Sequence, residues 1–351
     1  MKAYAVTMFC EPVEEIDVAD PVPKGTEVVV DVTRCGLCHS DLHLQDGTYD
    51  LGDGKILSLA DRGIKPPVIM GHETLGRLSA KGPEAPIGDD QIGKTFLVYP
   101  WLGCGECEMC LSDRTNMCAK PSSVGVHRPG GYAQKCLVPH PKYLVDVTGI
   151  DPTLASTYAC SGLTAYSALK KLDMDKEKGW LLILGLGGVG MSGLVIAKAL
   201  GFRNIAVADI DEGKRKLAEE HGASLVLDPR DAGALEKLAA VGGIGGAVDF
   251  VGARPTAEFG IAALKRGGSY VIVGLYGGSM SLSLPLLVLR AINLRSSYVG
   301  NLVELRELID LVKAGKVAPM PVETVPVAKV NEAIGRLRAG KVSGRLVLAQ
   351  G

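Results

Sequence analysis

The segment Gly185-Leu186-Gly187-Gly188-Val189-Gly190 constrains this chain more than any other feature. The G-x-G-x-x-G pattern alone is weak. Here it follows the apolar run Trp180-Leu181-Leu182-Ile183-Leu184 and opens a helical pattern that continues through Leu200. In that setting the first glycine permits a tight turn and the second lets the backbone approach a pyrophosphate. The third allows close helix–strand packing, and the helix N-terminus faces the phosphates. Asp209 ends the next predicted strand, 204–209, where the fingerprint expects an acidic residue about 20 positions on. A carboxylate there accepts hydrogen bonds from the adenosine ribose and repels the extra phosphate of NADP, so the expected cofactor is NAD(H). The same residue would also suit the cap of a charged amphipathic helix at 211–221. Lys214, on that helix, is compatible with flanking the ribose or with plain solvation.

The alternation continues. Short apolar runs at 224–227, 247–251 and 269–273 are separated by helical stretches. Strands buried on both faces and joined by helices make a parallel sheet. A Rossmann-type doubly wound domain is therefore expected over 152–294. The first 151 residues have a different grammar, β-rich and punctuated by Pro and Gly, with a strand predicted at 27–32. Residues 45–67 read as a long connection of little periodicity. The last stretch, 295–351, reads as a strand-helix-strand tail that folds back onto the first domain.

Composition narrows the function. The net charge of −1 on 351 residues gives no electrostatic case for nucleic acid or an anionic membrane. No apolar run approaches the ~20 residues of a membrane span. The first residues carry Glu11, Glu14, Glu15 and Asp17, unlike a secretory signal, so a cytoplasmic location is expected. In a reducing compartment, nine cysteines point to metal ligands or catalysts rather than disulfides.

Four of them, Cys104, Cys107, Cys110 and Cys118, follow the spacing C-x2-C-x2-C-x7-C. Four thiolates on one loop make a closed structural zinc site. The bacterial iron–sulfur run instead has three residues before its last cysteine and a proline after it. Glu106, Glu108 and Asp113 inside the loop argue against a nucleic-acid finger.

A second dense stretch is Cys35-Gly-Leu-Cys38-His39-Ser40-Asp41-Leu42-His43. Taken alone it fits a redox C-x-x-C pair, a C-x-x-C-H haem attachment, or a catalytic metal site holding Cys38. The first expects a thioredoxin-like unit and the second an exported chain. The third needs distant partners, for which Gly71-His72-Glu73 and Ala159-Cys160-Ser161 are candidates.

Taken together, these segments resemble the zinc-containing medium-chain alcohol dehydrogenase family, nearly end to end. The matching pieces are Cys-His-Ser-Asp-Leu-His at 38–43, Gly-His-Glu at 71–73, the four-cysteine loop and Cys-Ser-Gly-Leu-Thr at 160–164. The glycine fingerprint with Asp209, Ser-Tyr-Val-Gly-Asn at 297–301 and Ser-Gly-Arg at 343–345 complete the set. The resemblance implies an α/β protein with a GroES-like β-rich catalytic domain (1–151 and 295–351) interrupted by the Rossmann NAD-binding domain (152–294). It implies two zinc ions per subunit. It also implies reversible hydride transfer between primary or secondary alcohols and NAD, giving aldehydes or ketones. A polyol or sugar dehydrogenase of the same superfamily is the alternative.

Position by position, the resemblance implies Cys38, His72 and Cys160 as ligands of the catalytic zinc. Glu73 stands behind the metal, and Asp41 orients His72. A zinc-bound alkoxide would form as Ser40 takes the alcohol proton, which leaves through His43. His39 and Arg345 match positions that meet the NAD pyrophosphate. Thr164 would pack on the nicotinamide, and Val273 and Gly274 would line its carboxamide end. Trp101 and Leu275 would face each other across the substrate pocket, although Trp101 also suits a core aromatic. The short span from Cys118 to Gly131 resembles microbial tetramers, so a homotetramer is expected ahead of a dimer. Cys10, Cys35 and Cys136 read as buried small apolar residues, and His127 and His140 as surface histidines. His221 suits a helix C-terminus.

Overall fold

The computed structural model describes residues 1–350. Its centre is a parallel six-stranded sheet in the order Leu225–Leu227, Asn204–Ala208, Trp180–Leu184, Ile244–Asp249, Leu264–Ile272 and Asn293–Ser296. The order reverses on either side of Trp180–Leu184, the switch point where a doubly wound sheet opens a crevice for a ligand. Trp180–Leu184 shows why its near-continuous apolar run was needed. Leu181 and Ile183 join one core, while Leu182 and Leu184 join a second core on the other face. The last strand runs to Ser296, slightly past the expected end of the sheet.

A second sheet is built from residues at both ends of the chain. Its order is Leu144–Asp146, Thr95–Val98, Glu73–Lys81, Val28–Gly36, Arg345–Ala349 and Val322–Pro326, with Lys135–Val138 also pairing Val28–Gly36. The tail therefore folds back as expected, and Val347 pairs antiparallel with Gly36. The helix Leu302–Lys313 precedes the strand-helix-strand unit. A three-stranded sheet of Glu14–Asp17, Lys2–Val6 and Val68–Ile69 completes this β-rich body. One hydrophobic core runs from Val30 and Leu97, through Tyr158 and Leu163, to Leu181 and Val207. It joins the two sheets through the helices Pro152–Thr157 and Leu163–Lys170.

Two expectations are corrected. Residues 45–67 are not a featureless connection: they hold a hairpin, Thr48–Gly52 with Lys55–Ser58. Its turn carries Asp53 and Gly54 at φ of 53° and 74°, the Asp-Gly pairing that favours a tight hairpin. The hairpin rests on the nucleotide-binding half, since a Cβ on Gly277 would meet Asp50. Cys10 is exposed, at a turn with φ of 66°, whereas Cys35 and Cys136 are buried as expected.

Candidate active site and metal centres

The strand Val28–Gly36 delivers Cys38 to the N-terminus of the helix His39–Asp46. Asp41 bends back to accept from the Cys38 N–H at 2.9 Å and from Tyr132 Oη at 2.9 Å. Its other oxygen lies 3.4 Å from His72 Nδ1, with both side chains fully buried. Pairing of Gly36 with Glu73 across the sheet brings the neighbouring His72 to the same place. Cys160 arrives from a π-helical turn, Tyr158–Gly162, between two α-helices. Such a turn is a frequent feature of functional sites.

Cys38, His72, Glu73 and Cys160 thereby offer ligand atoms that all lie within 4.8 Å of one another. The Cys38 and Cys160 sulfurs are 3.8 Å apart. Tetrahedral zinc with Zn–S bonds near 2.3 Å separates its sulfurs by about 3.8 Å. With Nδ1 turned to Asp41, the buried Nε2 of His72 is left without a hydrogen-bond partner. An orphaned donor in a soft N/S set fits a zinc ion. The thiol of Cys160 donates to Cys38 and, against the penalty of burial, the His72 imidazole also favours the Cys38 thiolate. Burial opposes charge on His72, but Asp41 outweighs it and makes the ring more basic than an ordinary histidine. A more basic imidazole is a stronger ligand.

Behind this set, Glu73 pairs with Arg345, both buried. Burial pushes the Glu73 carboxyl up to about 7, with Arg345 pulling against it. One Glu73 oxygen is unpartnered. Gly36 makes room for it, because a Cβ there would overlap the carboxylate.

The glycine fingerprint forms the turn between Trp180–Leu184 and the helix Gly188–Ala199. Gly185 has φ of 83°, and a Cβ on Gly190 would strike the Gly185 carbonyl. A Cβ on Gly187 would project into open space, so this is where a pyrophosphate can approach the backbone. No side chain caps this helix N-terminus. Asp209 accepts from Leu186 N at 2.6 Å and from Asp211 N at 2.8 Å. The helix cap is Asp211, which accepts from Lys214 N, and not Asp209. The N–H groups of Val273 and Gly274 donate to the Asp249 carbonyl, at the C-terminal ends of the central strands. Thr164 is buried with an unpartnered hydroxyl.

Arg345 was expected at the pyrophosphate. It presses its stem where a Cβ of Gly188 would go, and its guanidinium also pairs with Glu73. It therefore joins the fingerprint to the metal-ligand cluster. His39, at the start of its helix, is exposed. Ser40 Oγ is 3.8 Å from Cys38 Sγ. His43, one turn on, stacks on Tyr49 at 4.3 Å, and burial lowers its pKa.

Trp101 is buried, with its indole N–H on the Ala159 carbonyl and its ring 5.3 Å from His72. The ring that faces Trp101 is Tyr298, edge-on at 6.3 Å, while Leu275 lies half exposed. Tyr298 and Tyr49 were not foreseen as site residues. Tyr298 lies in the Ser-Tyr-Val-Gly-Asn segment at 297–301 and Tyr49 in the 45–67 stretch, and only the folded chain sets their rings against Trp101 and His43.

The four-cysteine loop closes on itself. The Cys104–Cys110, Cys107–Cys110, Cys107–Cys118 and Cys104–Cys118 sulfur pairs lie 3.9, 3.6, 3.7 and 3.6 Å apart. These again match the edges of a tetrahedral zinc–thiolate set, about 3.8 Å. N–H groups of Glu106 and Cys107 pull the Cys104 thiol down to about 6, which prepares it as a thiolate. His127, His140 and His221 make only local backbone contacts, to Ser123, Lys142 and Leu217.

Comparison with known proteins agrees with this geometry. Residues 24–149 match the family model described as an alcohol dehydrogenase GroES-like domain, and 188–314 match that of a zinc-binding dehydrogenase. The chain is 32% identical over 351 residues to an NAD-dependent alcohol dehydrogenase of Sulfurisphaera tokodaii, covering 99% of each. It superposes on the alcohol dehydrogenase of Aeropyrum pernix with a TM-score of 0.89 and 28% identity, over 99% of this chain and 100% of that one. It also superposes on the D-arabinose dehydrogenase of Sulfolobus solfataricus, with a TM-score of 0.82 and 25% identity, over 99% and 98%.

Proposed function

The chain belongs to the zinc-dependent medium-chain alcohol dehydrogenase family, and from that premise we propose how its residues divide the work. Its reaction is reversible hydride transfer between an alcohol and NAD, giving an aldehyde or ketone. The observation that carries this reading is a single cation. Arg345 touches both Gly188 of the glycine turn and Glu73 beside the Cys38, His72 and Cys160 cluster. Hydride donor and acceptor must meet within bonding reach, and this contact puts the two sites against each other.

Cys38, His72 and Cys160 would hold the catalytic zinc, and Cys104, Cys107, Cys110 and Cys118 a structural one. When bound there, zinc would supply the Lewis acidity that lowers the pKa of a hydroxyl, and NAD would supply the hydride acceptor. Asp41 fixes the His72 ring. Ser40 receives the alcohol proton and His43 passes it outward. They stand at i and i+3 on one helix, on the same face. Because burial disfavours the imidazolium, His43 is neutral near pH 7 and able to accept. Gly185, Gly187, Gly188, Val189 and Gly190 cradle the pyrophosphate, with His39 at its edge. Asp209 and Lys214 take the ribose, and Thr164, Val273 and Gly274 take the nicotinamide. Trp101 walls the substrate, with Leu275 at the rim.

A division into 1–151 with 295–351 and 152–294 is supported by the separation of the two sheets, although the strand Asn293–Ser296 of the parallel sheet runs two residues past 294. Self-association, as a tetramer before a dimer, is supported by the edge strand Asn293–Ser296, exposed along its length, and the apolar face of the helix Leu284–Leu289. A cytoplasmic setting is supported by cysteines grouped as metal ligands, with no disulfide among the described residues. Among the described residues no helix is long and apolar enough to cross a membrane. A turnover screen with NAD and NADP across simple, aromatic and polyhydric alcohols, with metal analysis, tests the reading. Absence of zinc, or of NAD-linked turnover on every alcohol, would overturn it. Turnover confined to polyols would favour the sugar-type alternative.

A further inference from the structure

The four-cysteine loop has a second set of contacts, which run toward the reaction site. From its last turn, Thr115–Met117, Asn116 Nδ2 donates to the Tyr298 carbonyl at 3.0 Å. Thr115 Oγ1 lies 3.2 Å from Tyr99 Oη, and that hydroxyl donates to the Gly300 carbonyl at 3.0 Å. Between the two anchored carbonyls stands Val299, with φ of 41°. A β-branched residue in the left-handed region is an outlier that persists only where its surroundings hold it. The flanks are pinned as well. Lys171 Nζ donates to Ser297 Oγ at 2.7 Å, and Asn301 and Glu304 cap the next helix reciprocally.

The residue held this way is not core filler. Tyr298 is 55% exposed, yet its ring is set edge-on to Trp101, which in turn lies against His72. Strain and four polar anchors fix an exposed ring beside the candidate metal ligands. Rings offer close contact to a flat apolar body. Each hydroxyl of a polyol pressed against them would need a partner to replace water.

We propose that Asn116 is a positioning residue that holds Tyr298 as a selective wall of the substrate site, favouring alcohols with an apolar, ring-sized body. This rests on the alcohol dehydrogenase reading above. Three variants of the full-length enzyme test it: Asn116→Ala, Asn116→Asp and Tyr298→Ala. Asn116→Asp is nearly isosteric but sets a carboxylate against the carbonyl. The measurements are NAD-linked kcat and KM on benzyl alcohol and on ethanol, with zinc per chain and Tm alongside. For both Asn116 variants, kcat/KM on benzyl alcohol falls about 10-fold, mostly through KM, while ethanol changes less than about twofold. Zinc content stays at the parent value, and Tyr298→Ala reproduces the benzyl alcohol loss. An unchanged benzyl-to-ethanol ratio in Asn116→Asp overturns the proposal, as does an equal fall on both alcohols. A shift in Tyr298→Ala alone removes the role of Asn116. A parent enzyme that oxidises neither alcohol overturns the dehydrogenase reading itself.

Discussion

Asp209 ties cofactor choice to the shape of the glycine turn, and the two roles can be separated. One carboxylate oxygen accepts from Leu186 N at 2.6 Å, inside the fingerprint, and the other from Asp211 N at 2.8 Å. The side chain is half-buried, so the freed N–H groups of a Ser variant would be partly rehydrated. A loss of about 1–2 kcal/mol is expected, at the low end for two bonds to a charged acceptor, or roughly 1–3 °C in Tm for a chain of this length. Losing charge-assisted bonds to the NAD ribose should cost a further ~1.5–3 kcal/mol, a rise of about 10- to 150-fold in KM for NAD. Removing the charge also removes repulsion against the NADP phosphate. Asp209→Asn keeps an acceptor for Leu186, loses the one for Asp211 N and drops the charge, so it should relax NAD preference with a smaller fall in Tm than Asp209→Ser. Asp209→Ser should do both. The assay is kcat/KM for each cofactor at saturating alcohol, beside thermal unfolding. An NADP-to-NAD ratio within twofold of the parent in both variants would refute the ribose role. A normal Tm in Asp209→Ser would refute the loop tie.

Three further outcomes are expected. Cys38→Ser should abolish turnover and halve the zinc with the fold retained, whereas Cys107→Ser should cost several kcal/mol, about 5 °C, by thermal unfolding. If both variants merely unfold, the division into catalytic and structural sites fails. Arg345→Met leaves the buried Glu73 carboxylate unpaired, at about 3–5 kcal/mol, and pairing it with Glu73→Gln should recover part of that in a double-mutant cycle; strictly additive losses would deny the pairing. The acid limb of the kcat/KM profile should lie below the ordinary histidine value of 6.5, because burial depresses His43 and the base is lost only as pH falls through that lower value. Tyr49→Ala hydrates the ring and should move the limb up towards 6.5, and an unmoved limb would detach it from His43.

What the sequence made legible was local. The glycine turn, its preceding apolar strand and Asp209 lie in one βαβ run, and each glycine has a steric reason that no distant residue supplies. The four cysteines lie on one loop, so their spacing alone specified a closed set. The Asp53-Gly54 turn is equally local, but it stands within a stretch of little periodicity, where two short strands give no alternation to mark them. Cys10 misled for the opposite reason. A cysteine is usually buried, but its left-handed backbone places it on an exposed turn, and residue type alone does not reveal φ.

The catalytic cluster was of another kind. Nothing near Cys38 in the sequence chooses between a redox pair, a haem attachment and a zinc ligand. The choice is made by strand register. Gly36 pairs with Glu73 on one side and Val347 on the other, so the final strand Arg345–Ala349 lies beside the strand that leads to Cys38. That pairing joins the two ends of the chain into one sheet, with the parallel sheet inserted between them in sequence. It also carries Arg345 to Glu73 and Gly188 together, a contact across 272 positions of chain with the carboxylate. The resemblance implies Arg345 at the pyrophosphate, and the fold also pairs its guanidinium with Glu73 on the metal side. A cation with an anion on one flank and a phosphate-binding turn on the other senses both. NAD binding should therefore loosen its hold on Glu73, and the charge on Glu73 should weaken with cofactor bound. Carboxylate difference infrared spectra of the parent and Glu73→Gln, with and without NAD, measure this. A Glu73 band indifferent to NAD would show that Arg345 serves the metal side alone.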